Sequence, residues 1–200
     1  MAEISHKIYT AFGDRGQTKL LSGETVEKDD LRVNTYGALD ELQSHIGMAR
    51  SLIREEHVRS TLLAIQKDLF VAGAELASTP ERIFRLKTRI TAKDVKKIEE
   101  WIDQAVERYG MPSGFVIPGA SRDSAALHLA RSVCRRVERS IVSLNHISGT
   151  YKVVTVYFNR LSDLFFVLAW SLAVMAATEQ VLNELMAGSR DLQTKDGMSR

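Results

Sequence analysis

Apolar residues recur every three to four positions along most of the chain, the spacing that predicts amphipathic helices with one buried face. Two such segments are separated by the charged residues 54–56 and predict two helices joined by a short turn. A third segment follows Thr91 and Asp94, which form a capping pattern, and Ser121 is an N-cap candidate for a fourth. The four stripes are Leu39, Leu42, Ile46, Ala49 and Ile53; Val58, Leu62, Ile65, Leu69, Ala72 and Leu76; Val95, Ile98, Ile102, Ala105 and Tyr109; and Ala126, Ala130, Val133, Val137, Ile141 and Leu144.

The segment YKVVTVYF, residues 151–158, is rich in β-branched and aromatic residues, and local propensity alone favours a strand there. One apolar stripe of helical spacing nevertheless continues through it to residue 175, so the sequence predicts a fifth helix. The longest apolar run, residues 164–177, is shorter than the roughly 20 residues that cross a bilayer. We therefore expect a buried helix and no membrane partner.

These segments together predict an all-α protein, a five-helix bundle with an N-terminal loop leader. The leader, residues 1–29, is rich in Gly, Thr, Ser and Asp and shows no sustained periodicity. Residues 30–187 form the bundle. The polar residues 188–200 are expected to be a flexible tail.

Composition excludes several classes of protein. The 27 Lys and Arg residues nearly balance the 25 Asp and Glu residues, so no global field would attract nucleic acid. The single cysteine, Cys134, allows no internal disulfide, and the N-terminus shows no targeting pattern, which together favour the cytoplasm. A Glu-x-x-His pair occurs only at Glu3 and His6, so a di-iron bundle is not expected and no metal ligand is assigned.

The fourth helix carries an unusual number of arginines. At helical spacing, Arg131, Arg135 and Glu138 lie away from the core stripe, and this spacing alone also suits an ordinary solvated face. Arg136 and Arg139 lie at other angles, where surface ion pairs are at least as good an explanation.

The fifth helix changes the interpretation of these arginines. Asn159 and Asp163 lie opposite its core stripe, on a side shared with Phe166 and Trp170. A helix that is apolar nearly all round is expected to meet another subunit on its outer face. Arginines from another helix could pair with the two polar residues.

The leader segment TAFGDRGQT, residues 10–18, adds a possible phosphate site. Its two glycines permit tight turns that aim backbone amides at one point, and its threonines add hydroxyl donors. This signal is weak on its own, because Gly-Asp-x-Gly is common in turns and the Walker pattern is absent.

Three segments, residues 9–42, 115–142 and 157–169, together resemble the PduO-type ATP:cob(I)alamin adenosyltransferases, over roughly residues 8–182. They contain, in order, Gly-Asp-x-Gly, Lys-Asp-Asp, Tyr-Gly-x-x-Asp-Glu-Leu, Pro-Gly-x-Ser, Cys-Arg-Arg-x-Glu-Arg and Asn-Arg-Leu-Ser-Asp. The resemblance implies a homotrimer, with ATP between the leader of one chain and the fourth and fifth helices of its neighbour.

The resemblance also implies residue roles. The expected ATP contacts are Thr10, Gly13, Asp14, Gly16, Thr18 and Lys28 in the leader and Arg131, Arg135, Glu138 and Asn159 in the helices. Arg131, Arg135, Asn159 and Phe115 are also the expected catalytic residues. Asp40 resembles the family's interface acid that pairs with Arg131, and Phe115 matches the aromatic that closes the lower face of the corrin.

The implied reaction transfers the 5′-deoxyadenosyl group of ATP to cob(I)alamin, with Mg²⁺ assisting and triphosphate leaving. A reductase or a cobalamin-dependent mutase is a possible partner. The alternative is a noncatalytic trimeric bundle that senses ATP or cobalamin. Two departures from the family pattern are Phe12, in a position usually small or polar, and LNHISGTYKV, residues 144–153, in place of an asparagine-proline helix start.

Overall fold

The computed structural model describes residue 9 and residues 11–197, the last ten of these by their backbone alone. Within this part of the chain, the helices are α1 (Leu31–Leu52), α2 (Glu56–Leu76), α3 (Ala92–Tyr109), α4 (Arg122–Ser148) and α5 (Lys152–Gly197). The predicted all-α five-helix architecture is confirmed. Helix α5 packs against α3 and α4, and α1 packs against α2 and α4.

Three of the helices, α1, α3 and α4, begin at residues whose side chains cap the helix start. The Asp30 carboxylate accepts a hydrogen bond from the Arg32 amide at 2.7 Å, which starts α1. The predicted capping box is present at α3, where Asp94 accepts from the Thr91 amide at 2.8 Å. The Ser121 hydroxyl accepts from the Ser124 amide at 3.4 Å at the start of α4.

The β-branched segment 151–158 is helical, as its apolar period predicts. Tyr157 and Phe158 are fully buried within it, and Val154 is 1% exposed. Burying a large apolar side chain contributes about 1.5–3 kcal/mol, whereas strand and helix propensities differ by about 1 kcal/mol or less per residue. Packing in the core therefore outweighs the local preference.

The leader contains more regular structure than the predicted loop. A 3₁₀ turn, Phe12–Arg15, precedes an antiparallel hairpin of two strands, β1 (Gln17–Lys19) and β2 (Thr25–Glu27). The prediction missed this hairpin because three-residue strands are too short to show alternation. The Leu21 amide donates to the Ala77 carbonyl at 2.9 Å, which ties the hairpin to the end of α2.

Helix α5 continues to Gly197, so the backbone shows no helix end at residue 188, the expected start of a flexible tail. The sequence has no proline after residue 118, and extending an existing helix avoids the cost of a new nucleus. A polar composition therefore did not mark the end of the helix.

By length and composition alone, the segment Lys152–Ala187 of α5 could cross a membrane. Half of its most apolar stretch is buried within the bundle, as in the core helix of a soluble protein. Core burial is thus a sufficient explanation of its apolar character.

Glu75 is a buried acid near the end of α2, with 2% of its surface exposed. Its carboxylate accepts a hydrogen bond from the Ile90 amide at 2.5 Å and lies 3.5 Å from the Arg89 guanidinium. Burial raises the pKa of Glu75, against the opposing effects of the Ile90 amide and Arg89. Through this hydrogen bond and this ion pair, Glu75 links α2 to the segment before α3.

We expect Glu75→Ala to lower the free energy of unfolding by about 1–3 kcal/mol, because it leaves the Ile90 amide without an acceptor. Glu75→Gln keeps an acceptor and should lose less. The raised pKa makes the contribution of Glu75 largest below its ordinary value of 4.5, and this contribution declines as the pH rises through the folded-state pKa. Urea unfolding from pH 4.5 to 8 would measure both effects, and an unchanged pH slope in Glu75→Gln would contradict the second.

Candidate active site

Arg131 and Arg135 of α4, here called the arginine row, lie on the side of the helix that faces away from the core. Val133 and Val137 are buried, whereas Arg135 and Arg139 are exposed. Among the described residues, no hydrogen bond or ion pair engages the Arg135 side chain. The Arg131 guanidinium lies over the Phe166 ring of α5, 5.5 Å from its centroid. Both cations therefore keep donors for a ligand.

The helices bring together the polar residues that the sequence singled out on α4 and α5. The Asn159 amide nitrogen donates to the Glu138 carboxylate at 3.0 Å. The Asn159 carbonyl oxygen accepts from Arg160 at 2.8 Å, and Arg160 also donates to Glu99 at 2.9 Å. Asn159 and Glu138 thus form one fixed polar pair beside the arginine row.

A cavity of about 570 Å³, here called the large cavity, lies between α3, α4, α5 and residues 111–118. Its lining is mainly apolar and includes Ile102, Val106, Phe115, Val116, Phe166 and Val167. The charged lining residues are Arg131 and Asp163. Phe115 is fully exposed, so its ring can cover an apolar ligand without first leaving the core.

His128 lines the large cavity one turn before Arg131, although the sequence analysis gave it no site role. It is 6% exposed, and its ring meets Phe166 edge to face at a centroid distance of 6.1 Å. Burial, and secondarily Arg131, lower the pKa of His128 and favour a neutral imidazole at neutral pH. The sequence feature that could have indicated His128 is its position three residues before Arg131, on the same side of a helix.

The leader forms a compact loop beneath Lys28. The Lys28 ammonium packs directly against Gly13, where an added Cβ would lie 2.8 Å from Nζ. The Lys28 amide donates to the Gly16 carbonyl at 2.7 Å, and Gly16 has a φ of 83° that favours glycine. Gly13, Gly16 and Lys28 therefore meet.

The remaining leader residues occupy the same short hairpin and turn. Asp14 is exposed in the 3₁₀ turn, and Thr18 is half-buried in β1. Phe12 lies beneath the Lys19 ammonium, 5.3 Å from ring centroid to Nζ, which gives this departure from the family pattern a packing partner. Thr10 lies outside the described residues.

No polar contact links the described part of the leader to the arginine row. Among the described residues, no hydrogen bond or ion pair joins the leader to Arg131, Arg135, Glu138 or Asn159. The leader is held instead by the segment after α2, where Arg82 pairs with Glu24 at 3.1 Å. The predicted site residues of the leader and those of α4 and α5 are therefore not joined by such a bond within the described part of one chain.

Arg136 and Asp40, two charged residues near the arginine row, differ in their ion-pair contacts. Arg136 forms an ion pair with Glu41 of α1, which accounts for it in the packing of α1 on α4. Asp40, on the same helix as Glu41, is exposed and makes no ion pair with Arg131 within the described chain. The expected pairing of Asp40 with Arg131 therefore remains a prediction.

The described residues offer no side-chain nucleophile or metal cluster at this site. Cys134 is fully buried, its thiol contacts the Phe158 carbonyl at 3.4 Å, and burial raises its pKa. No group of three or more His, Cys, Asp or Glu residues in the described part of the chain could hold a metal ion. The site can supply cations, amides and an apolar wall.

Comparisons with known proteins agree on one family. The profile described as cobalamin adenosyltransferase matches residues 8–172. A corrinoid adenosyltransferase of Citrobacter freundii is 42% identical, over 82% of this chain and 93% of its own. That of Bacillus subtilis is 40% identical, over 82% and 84%.

A similar solved structure is that of a PduO-type ATP:corrinoid adenosyltransferase from Lactobacillus reuteri, complexed with cobalamin and ATP. It is a variant with alanine in place of a phenylalanine, it is 36% identical, and the match covers 87% of this chain and 96% of the other. The TM-score is 0.76, so the likeness extends across the bundle. The chain therefore belongs to the cobalamin adenosyltransferase family.

Proposed function

We propose that the chain transfers the 5′-deoxyadenosyl group of ATP to cob(I)alamin at sites shared by neighbouring chains of a homotrimer. Family membership makes the chain an ATP:corrinoid adenosyltransferase. The observation that carries the assignment of the site is the apolar large cavity, which Arg131 lines. Arg135, one turn further along α4, forms no hydrogen bond or ion pair within the described residues.

The reaction needs no nucleophile from the protein. Cobalt(I) is itself a strong nucleophile and forms a bond to the 5′-carbon of ATP. The bond from that carbon to oxygen breaks, and its electron pair leaves with triphosphate. The protein must therefore align carbon and cobalt and stabilise the departing anion.

Charge for the leaving group would come from both halves of the site. Arg131 and Arg135 are one helical turn apart on α4, and their planar guanidinium groups suit phosphate oxygens. Lys28 and the amides near Gly13 and Gly16 would hold the same polyphosphate from the leader. Thr10, Asp14 and Thr18 would add contacts, as the resemblance implies. Mg²⁺ would arrive as part of MgATP, coordinated mainly by phosphate oxygens.

The large cavity would receive the corrinoid. Phe115 lines this cavity and its ring is fully exposed, so the ring would be free to pack against the lower face of a bound corrin and exclude water there. Such a wall keeps the lower ligand of cobalt away and favours reduction to cobalt(I). Asn159 and Glu138, already hydrogen-bonded, would contact ATP from the helical side.

A contact between chains would complete the site. The surface around Asp40 is a groove of about 510 Å³ that includes Leu21, Tyr36 and Phe70. Phe70 is 74% exposed and Leu21 is 62% exposed, which is the apolar character of an interface core. We propose that Asp40 pairs with Arg131 of the adjacent chain.

A cytoplasmic location and a reductase or mutase partner remain predictions.

We expect Arg135→Ala to lower kcat/KM at least about 100-fold, because it removes a donor to the developing triphosphate. The measurement is adenosylcobalamin formation, followed by absorbance, from ATP, Mg²⁺ and chemically reduced cobalamin without oxygen, together with triphosphate release. Arg139→Ala, one turn further along α4, is the matched control and should stay within about twofold of the unaltered chain. Normal turnover by Arg135→Ala would refute the assigned role, and no turnover by the unaltered chain would favour the sensor alternative.

We expect Phe115→Ala to impair the reaction from cob(II)alamin more than the reaction from prereduced cob(I)alamin. Loss of the ring exposes the lower face, which affects reduction before it affects adenosyl transfer. The two reactions should be assayed in parallel with the same enzyme preparation. Equal losses in both would contradict the placement of Phe115 beneath the corrin.

We expect the purified chain to sediment with a mass three times that of one chain. Asp40→Ala should weaken this assembly or raise the KM for ATP, because it removes the proposed partner of Arg131. Asp40→Asn, which preserves size and polarity, separates the effect of charge from that of shape. A monomer with full activity would exclude a shared site.

A further inference from the structure

A second cavity, here called the small cavity, lies between α2, α3 and α5 and has a volume of about 260 Å³. Trp101, Ala105 and Arg108 of α3 line it, whereas Ile102 and Val106 of the same helix line the large cavity. A helix with its side chains is about 10 Å across. The small cavity is therefore a separate space, one helix away from the large cavity.

The lining of the small cavity is rich in hydrogen-bond donors. None of its lining residues is acidic. The polar members are His57, Thr61, Gln104, Arg108, Tyr109 and Ser171. Tyr109 already donates to the Met175 sulfur at 3.3 Å, and Ser171 donates to the Val167 carbonyl at 2.9 Å. Within the described residues, the other four side chains form no hydrogen bond or ion pair.

Aromatic rings hold two cations at the border of this cavity. The Arg108 guanidinium lies 5.3 Å from the centroid of the Tyr109 ring. The Lys97 ammonium lies 4.8 Å from the centroid of the Trp101 ring. Contact through the face of a ring leaves the N–H groups of the cation free. Arg108 in particular keeps its donors beside a cavity without carboxylates.

We propose that the small cavity binds a small organic anion with a carboxylate or phosphate group. Arg108, His57 and Thr61 would hold the anionic group, and Trp101 would cover the rest. Its volume of about 260 Å³ is less than half that of the large cavity, which suits a ligand smaller than a nucleotide. Helix α3 separates the two cavities, so this site is distinct from the proposed active site and does not depend on its assignment.

Calorimetric titration of the unaltered chain with succinate and with inorganic phosphate tests the proposal and distinguishes the two anionic groups. Succinamide, which has the same skeleton without charge, is the matched neutral probe. We expect saturable binding of at least one anion and none of succinamide. Tryptophan fluorescence provides a second readout, because Trp101 lines the cavity and Trp170 is the other tryptophan.

Variants locate the bound anion. Arg108→Gln should weaken binding about tenfold or more, the loss expected for one charged hydrogen bond. Lys96→Gln makes the same change of charge on the same helix outside the cavity, and should leave the Kd within about twofold. Arg135→Ala should also retain binding, since it alters the proposed ATP site alone. Circular dichroism confirms that each variant is folded.

Two results would overturn the proposal. The first is an absence of saturable binding of either anion to the unaltered chain, which would make the small cavity a water-filled gap. The second is binding that Arg135→Ala abolishes and Arg108→Gln preserves, which would place the anion at the proposed ATP site. Neither result bears on adenosyl transfer, which has its own assay.

Discussion

The apolar surface of helix α5 is the constraint on which the rest of the structure depends. Between residues 157 and 172 most of its side chains are buried, and α3 and α4 pack against it. Its half-buried Asn159 needs partners, because an unpaired buried amide costs about 1–3 kcal/mol. Asn159 solves this problem by bonding Glu138 and Arg160, which fixes α4 relative to α5. The same packing opens the large cavity beside Phe166.

The arginine row lowers the stability of α4, because its like charges repel each other. Arg131 and Arg135 are like charges one turn apart, an arrangement that destabilises a helix by a few tenths of a kcal/mol. Two exposed cations, Arg136 and Arg82, form ion pairs with Glu41 and Glu24. Arg135 differs, because the described residues give it no such partner. An exposed guanidinium group with free N–H donors is suited to a site that stabilises a leaving triphosphate.

The helices could be predicted because their caps and apolar periods depend on residues close together in the sequence. Side-chain contacts between helices could not be predicted in this way. The caps at Thr91 and Ser121 follow from a few neighbouring residues, so the sequence located them, whereas the cap at Asp30 was not predicted. The bond from Asn159 to Glu138 needs the helix packing, although helical faces indicated the two residues. The leader hairpin was too short to show a period. His128 was missed because its burial against Phe166 depends on how α4 and α5 pack together.

Arg131 joins the two chemical environments that the proposed reaction needs. Its guanidinium carbon lies 5.5 Å from the centroid of the Phe166 ring, in the wall of the large cavity, and a guanidinium held over a ring keeps N–H donors available. Apolar surface suits a corrin, whereas free donors suit a polyphosphate. A cation that touches both environments sets the distance between the two substrates through one side chain. Lysine has no flat face to pack on Phe166, so charge alone would not reproduce this arrangement.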